Sequence, residues 1–355
     1  MVFLHFSGFR ALSFFFFLSL ILQSDALPRR GRKRPNNNAT GATTGATAGN
    51  TAGLAATGGG TISQATDGST ILDKTVNING LPIRYKISAP ASLFTTVSGV
   101  PGGTATAATA ATANNATAGQ NGLNVLLHGD GGQSFLDFPN QAVQGGLMGV
   151  VVLAPNQDRF WGGGSGLDRT DGVEHSAAVN TLIQEQLPQD VAFDPANVFF
   201  TGVSGGSLML SGFFMPAFGA AYKTGVMLNC GALAPQVAVV DAATLAASTR
   251  IHFQTTQNEL ALLQPAIPEA VAAYESLAAD AGLTAAEAGA LQTVDATPAG
   301  GHCEFDEQDF VSGVQLMSDS FADVMLAGGS GEVNGIGNVL TSVVGNENIN
   351  FGAPS

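Results

Sequence analysis

Hydrophobic positions follow two patterns along the chain. Between residues 72 and 89 they alternate with polar ones, and the stretch turns at Asn79-Gly80. That dipeptide suits the left-handed backbone of a tight turn, so an antiparallel hairpin is expected there. From residue 122 the apolar runs become continuous, at Leu123 to Leu127 and Met148 to Ala154. Such runs fit parallel strands buried on both faces. Further strands are expected at 197–201, 224–229, 250–255 and 290–294.

Helical spacing fills the intervals. Val179, Leu182, Ile183 and Leu187 share a face, and Asp171 with Glu174 has the spacing of a capping box. A helix is expected directly after Ser204 and another over 266–279. Phe310, Val314, Met317, Phe321 and Val324 recur at steps of four and three, predicting a last amphipathic helix. Strands alternating with helices imply an α/β fold with a mostly parallel central sheet.

Several stretches lack either pattern. Residues 35–68 are Asn, Thr, Gly and Ala with almost no large apolar side chain, and are expected to stay disordered. Residues 96–120 form a low-complexity loop inserted between strands. Residues 328–355 are Gly- and Asn-rich, with one apolar run at Val339 to Val344, and are expected to be partly ordered. The layout is therefore a processed N-terminal region to residue 68, an α/β domain over 69–327 and a tail over 328–355.

Composition changes the picture at the N-terminus. Leu12 to Leu22 is an apolar run behind Arg10, and Ser24-Asp25-Ala26 supplies small residues for cleavage, so residues 1–26 are expected to be a signal peptide. The run is short for a membrane span, and no stable anchor is expected. Arg29-Arg30 and Lys33-Arg34 read either as dibasic processing sites or as a solvated basic cluster in the segment 27–68. Without residues 1–34, 7 of the 13 Lys and Arg and 26 of the 27 Asp and Glu remain, a net charge of −19 (7 − 26). Such a surface repels phosphate backbones, which excludes nucleic acid as a partner. Secretion fits the two cysteines, Cys230 and Cys303, as one disulfide. It also fits glycosylation at Asn38 and Asn115 in Asn-Ala-Thr sequons.

The candidate chemistry centres on Gly202-Val203-Ser204-Gly205-Gly206 behind the apolar run 197–201. A serine on a sharp strand-to-helix turn is lifted clear of the sheet, and small neighbours permit the bend. The same serine on a glycine-rich turn could simply cap the helix. As a nucleophile it needs a neutral imidazole to take its proton and a carboxylate to orient that ring. His5 leaves with the signal, His128 lies in a glycine loop, His175 early in a helix and His252 within a strand. His302, behind Gly300-Gly301 and after the last strand, is free to fold back over the sheet and is the expected base. Glu259, in the turn Thr256-Gln257-Asn258-Glu259-Leu260, is the expected acid, with Asp241 and Asp295 in reserve.

His128-Gly129-Asp130-Gly131-Gly132 is the expected oxyanion loop, with donors at the backbone N–H groups of Asp130, Gly131 and Gly205. The Asp130 carboxylate must turn away, for instance to cap the next helix. No lysine accompanies these glycines, which argues against a phosphate cradle. Phe160 and Trp161 lie in a glycine-rich loop at the carboxyl end of the sheet, where ligands bind. They read as substrate contacts, or, for Trp161, as a rigid lid over the core. No metal or cofactor is expected, since candidate ligands do not cluster. Asp306, Glu307 and Asp309 read as N-terminal charges of the last helix.

Leu127 to Gln133, Gly202 to Gly206 and Gly301-His302-Cys303 together resemble the α/β-hydrolase superfamily. Within it they are most similar to secreted, fungal-type serine esterases of the feruloyl esterase, acetyl xylan esterase and polyhydroxybutyrate depolymerase kind. The resemblance spans about residues 122–325. It implies a sheet with an N-terminal antiparallel hairpin and helices on both faces. It also implies Ser204 as nucleophile, His302 as base, and Asp130 and Gly205 as oxyanion donors. The family usually has aspartate where this chain has Asn258-Glu259, and a smaller or uncharged residue at Asp130. The implied reaction is hydrolysis of carboxylic esters, polymeric ones included, through an acyl-enzyme. A serine peptidase of the same fold and an inactive secreted interaction protein are the alternatives.

Overall fold

The computed structural model describes residues 54–55, 60–65, 67–107, 119–138, 144–337 and 340–355. The expected signal peptide, the basic segment and the sequons at Asn38 and Asn115 lie outside them.

The hairpin consists of β3 (Thr70–Ile78) and β4 (Leu81–Ala89), preceded by β1 (Leu54–Ala55) and β2 (Thr61–Gln64). Asn79 and Gly80 both take positive φ, 54° and 88°, as a two-residue turn between right-twisted strands requires. The continuous apolar runs become β5 (Gly122–Leu127), β6 (Leu147–Leu153), β7 (Val198–Val203), β8 (Gly225–Asn229), β9 (Arg250–Gln254) and β10 (Gln292–Asp295). A last strand, β11 (Thr341–Ser342), closes one edge. The order is β1-β2-β3-β4-β6-β5-β7-β8-β9-β10-β11. Pairing is antiparallel from β1 to β4, between β4 and β6 and between β10 and β11, and parallel from β6 through β10.

Both faces of the sheet are covered. Leu123, Val125, Leu127, Val150 and Val152 pack with Val179, Phe214 and Val271 in one core. Leu126, Val151, Val203 and Met227 point the other way, against Met317, Phe321 and Val324. The period-two alternation of the pleat thus splits each apolar run between two helical layers. This is the α/β architecture expected from the sequence: a mostly parallel central sheet with an N-terminal antiparallel hairpin and helices on both faces.

Four local expectations are revised. β2 lies within the segment expected to be disordered to residue 68, and Ile62 enters the core through it. Asp171 does not cap its helix, Gly172–Thr181, although Glu174 stands in the first turn. The last helix breaks at Ser320 into Phe310–Asp319 and Phe321–Met325. Of its expected acidic charges only Asp309 caps it, accepting from the Ser312 N–H at 2.8 Å, while Asp306 accepts from the Ala299 N–H at 2.9 Å.

The helix after Ser204 starts as Gly205–Met209 and widens to a π-helix over Leu210–Gly219. Pro216 inside it has no N–H to donate back into the helix, and the carbonyls of Gly212 and Ser211, four and five residues before it, accept from outside. The Gln236 N–H serves the first at 2.7 Å and the Tyr274 hydroxyl the second at 2.6 Å. These bonds fix the helix that begins at the candidate nucleophile.

Candidate active site

Ser204 stands between β7 and the helix Gly205–Met209, with φ 49° and ψ −115°. That conformation is strained for a residue with a Cβ, as a nucleophile turn demands. Close approach explains the flanking glycines. A Cβ at Gly202 would lie 2.6 Å from the Ser207 Cα, and one at Gly206 would lie 2.0 Å from the Leu127 carbonyl oxygen. The buried Asn229, at the end of β8, braces the turn. Its carbonyl accepts from the Ser204 N–H and the Ser207 hydroxyl, each at 2.8 Å, and its Nδ2 donates to the Gly202 carbonyl at 3.0 Å.

His302 comes from the loop after β10 and Glu259 from the loop after β9. His302 Nε2 lies 2.9 Å from Ser204 Oγ, and His302 Nδ1 is hydrogen-bonded to Glu259 Oε1. A carboxylate only accepts, so Nδ1 carries the ring proton and Nε2 is left to accept from the serine hydroxyl. The His302 side chain is 20% exposed and that of Glu259 0%. Glu259 is otherwise held by the Leu260 N–H at 2.8 Å and the Thr255 hydroxyl at 3.2 Å. The reserve acids lie elsewhere. Asp241 is an exposed helix cap accepting from the Thr244 N–H, and Asp295 is bonded to Gln254 and Thr297. Asn258 is half-buried and donates to the Ala353 carbonyl.

Cys230 and Cys303 are joined, with Cα atoms 5.3 Å apart. The bond links the residue after Asn229 to the residue after His302. Closing a 73-residue separation stabilises by about 4–5 kcal/mol in the chain-entropy model. The two cysteines and His302 form a grouping of metal-ligand type among the described residues, but its sulfurs are spent on each other.

The glycine loop 128–132 lies beside the turn, since a Cβ at Gly129 would sit 3.4 Å from the Ser204 Cβ. The N–H of Gly205, in the first helical turn, has no intrahelical partner. Among the described residues nothing accepts from the Asp130 N–H. Gly131 is a correction: its N–H donates to the Arg159 carbonyl at 3.2 Å and is spent. The Asp130 carboxylate caps no helix either, because the next one, Gln133–Asp137, has no side-chain cap. It is gripped by Arg169, 2.8 and 2.7 Å away at its two oxygens. Sequence reasoning missed Arg169. The usable signal was scarcity: it is one of seven cations after residue 34, and an acid in an oxyanion loop needs a partner.

His128 fixes the loop from beneath. Its Nδ1 donates to the Gly129 carbonyl at 2.6 Å and its Nε2 accepts from the Ala154 N–H at 2.9 Å, at the end of β6. Trp161 is 0% exposed and packs between the rings of His128 and His175, which leaves no face for a ligand. That corrects its reading as a stacking contact. Phe160 is half-buried and remains the apolar candidate in that loop.

Burial pushes His128 down to about 4, against a smaller opposing pull from the Gly129 carbonyl and Asp130. Burial pushes His252 down to about 4 as well, inside its strand, where it bonds Thr293 and Gln254. Both rings are neutral in the fold, and both take up protons more readily when unfolded. Their contribution is complete above the unfolded value of about 6.5 and lost as pH falls toward about 4, by up to roughly 3 kcal/mol per ring. Unfolding midpoints should therefore drop steeply between those pH values. A flat curve across that window would exclude this account.

No family model matches the chain, and no curated protein matches it. Solved structures do. The carboxyl esterase from Bacillus coagulans, described as highly thermostable and in complex with glycerol, is 12% identical, with TM-score 0.42, covering 72% of this chain and 98% of that one. The acetyl xylan esterase from Aspergillus awamori is 14% identical, with TM-score 0.39, covering 58% and 79%. A ferulic acid esterase is 13% identical, with TM-score 0.38, covering 70% and 95%. All three are esterases by description. The likeness is distant.

Proposed function

We propose that this protein is a serine hydrolase that cleaves carboxylic esters through an acyl-enzyme. The observation that carries the reading is one hydrogen-bonded chain, Glu259 to His302 to Ser204, drawn from three loops at the carboxyl ends of β9, β10 and β7. Ser204 Oγ attacks the ester carbonyl while His302 Nε2 takes its proton. The N–H groups of Asp130 and Gly205 receive the charge that develops on the carbonyl oxygen, and each such donor is worth about 3 kcal/mol. His302 then protonates the departing alcohol. A water molecule, deprotonated by the same nitrogen, releases the acid and restores Ser204.

Secretion is part of this reading. It is supported by the Cys230–Cys303 disulfide, which belongs to an oxidising compartment, and by the expected signal peptide. Among the described residues no helix is long and apolar enough to cross a membrane. Asn258 in the acid turn would favour the inactive alternative if it faced His302, but its side chain faces the tail and Glu259 holds His302.

The test is a fluorophosphonate probe, which reacts with activated serines. Peptide mapping should find it on Ser204 alone. An unlabelled protein, or a label on another serine, would overturn the reading. A panel of acetyl, feruloyl and longer-chain esters then identifies the acyl group, and plant-wall or polyester polymers test for polymeric substrates.

A further inference from the structure

The chain places a carboxylate where an oxyanion site least tolerates one. A Cβ built on Gly205 would lie 2.0 Å from Asp130 Oδ1, so the acid rests against the residue whose N–H faces the developing charge. An unpaired carboxylate there would repel the oxyanion across a short, poorly screened distance.

Arg169 meets it as a two-pronged fork. Nη1 donates to Asp130 Oδ1 at 2.8 Å and Nη2 to Oδ2 at 2.7 Å, while Nη1 also donates to the Trp161 carbonyl at 3.0 Å. The guanidinium is 1% exposed and the Asp130 side chain 25%. The cation therefore sits behind the acid, on the protein side. Its own loop is rigid: the Arg169 carbonyl accepts from the Gly172 N–H at 3.0 Å, and a Cβ at Gly162 would lie 2.8 Å from the Arg169 Cβ. A bidentate pair fixes orientation as well as charge, which lysine could not do as well.

We propose that Arg169 is a positioning residue of the oxyanion hole: paired with Asp130, it neutralises the carboxylate beside Gly205 and holds the Asp130 N–H at the developing charge. The inference rests on the serine hydrolase reading and extends it to a residue that touches no reacting atom. It separates two roles. If the pair only braces the loop, any loss of the fork is harmful. If charge matters, removing the cation alone is worse than removing both charges.

The experiment is the rate of fluorophosphonate labelling at Ser204, with kcat and KM on an activated acetyl ester, for the full chain. Arg169→Gln should slow labelling and lower kcat on the order of 100-fold, with KM little changed. The neutral pair Asp130→Asn with Arg169→Gln, which keeps an amide–amide contact, should recover about tenfold or more of that loss. Labelling of Arg169→Gln at the wild-type rate, or a double variant as slow as the single one, overturns the inference. An unlabelled wild type overturns the serine hydrolase reading and this inference with it. Unfolding midpoints monitor the fold. If Arg169→Gln does not fold, Arg169→Lys keeps the charge without the fork. A rate within about tenfold of wild type then supports compensation by charge, and a larger loss overturns it.

Discussion

Replacing Ser204 with alanine should leave the fold intact and lower ester hydrolysis by about 10⁶-fold. The hydroxyl is bonded to His302 Nε2, so the backbone bonds that shape the turn survive. Among them is the Ser204 N–H to the Asn229 carbonyl, at 2.8 Å. Alanine keeps the Cβ that the turn already accommodates at positive φ. Unfolding temperature should therefore change little while kcat collapses. What remains would come from the oxyanion donors and binding alone, since among the described residues only the Ser204 hydroxyl is bonded to His302 Nε2. Residual activity above about 1% of wild type would mean that another group attacks the ester, and the assignment would fail.

Much of this site was legible because each part has a local signature. The strand–turn–helix context of Ser204 can be read from five residues and the apolar run before them. The late histidine behind two glycines follows from chain order. Glu259 was readable as the carboxylate in the turn after β9, with the polar Asn258 beside it and Asp241 and Asp295 in reserve. What separates them is direction, and direction depends on a turn whose geometry no periodicity encodes.

The parts that were not legible depend on long-range pairing. Arg169 is 39 positions from Asp130, and nothing in either segment's pattern announces the fork. Trp161 sits in a glycine-rich loop that suggests exposure, yet the chain folds inward there and seats the ring between two histidines from different segments. Gly131 had the composition of an oxyanion donor, but the Arg159 carbonyl takes its N–H. β2 was not legible because a four-residue strand with a single buried apolar residue, Ile62, gives almost no alternation to detect. The tail was expected to be only partly ordered. Its Gly352 N–H donates to the Gln257 carbonyl at 2.7 Å and its Ser355 hydroxyl accepts from the His302 N–H at 3.3 Å, so it ties the acid loop to the base loop.

Changing Glu259 to glutamine should lower kcat by about 10³–10⁴ while the protein stays folded. The substitution keeps the shape and removes the charge. The buried carboxylate now accepts from His302 Nδ1 and the Leu260 N–H at one oxygen and from the Thr255 hydroxyl at the other. An amide cannot serve all three equally. With its NH₂ toward His302, the ring proton moves to Nε2, and that nitrogen can no longer take the proton of Ser204. With its oxygen toward His302, the tautomer survives, but the imidazolium formed during the reaction loses the negative charge that stabilises it. Both arrangements slow acylation and deacylation, and neither alters the oxyanion donors, so KM should move far less than kcat. Asp241→Asn is the matched control, because that exposed carboxylate caps the helix Ala242–Ser248 and does not reach His302. Activity that survives Glu259→Gln and falls with Asp241→Asn or Asp295→Asn would assign the acid elsewhere, and the hydrogen bond between Glu259 and His302 would then be structural only.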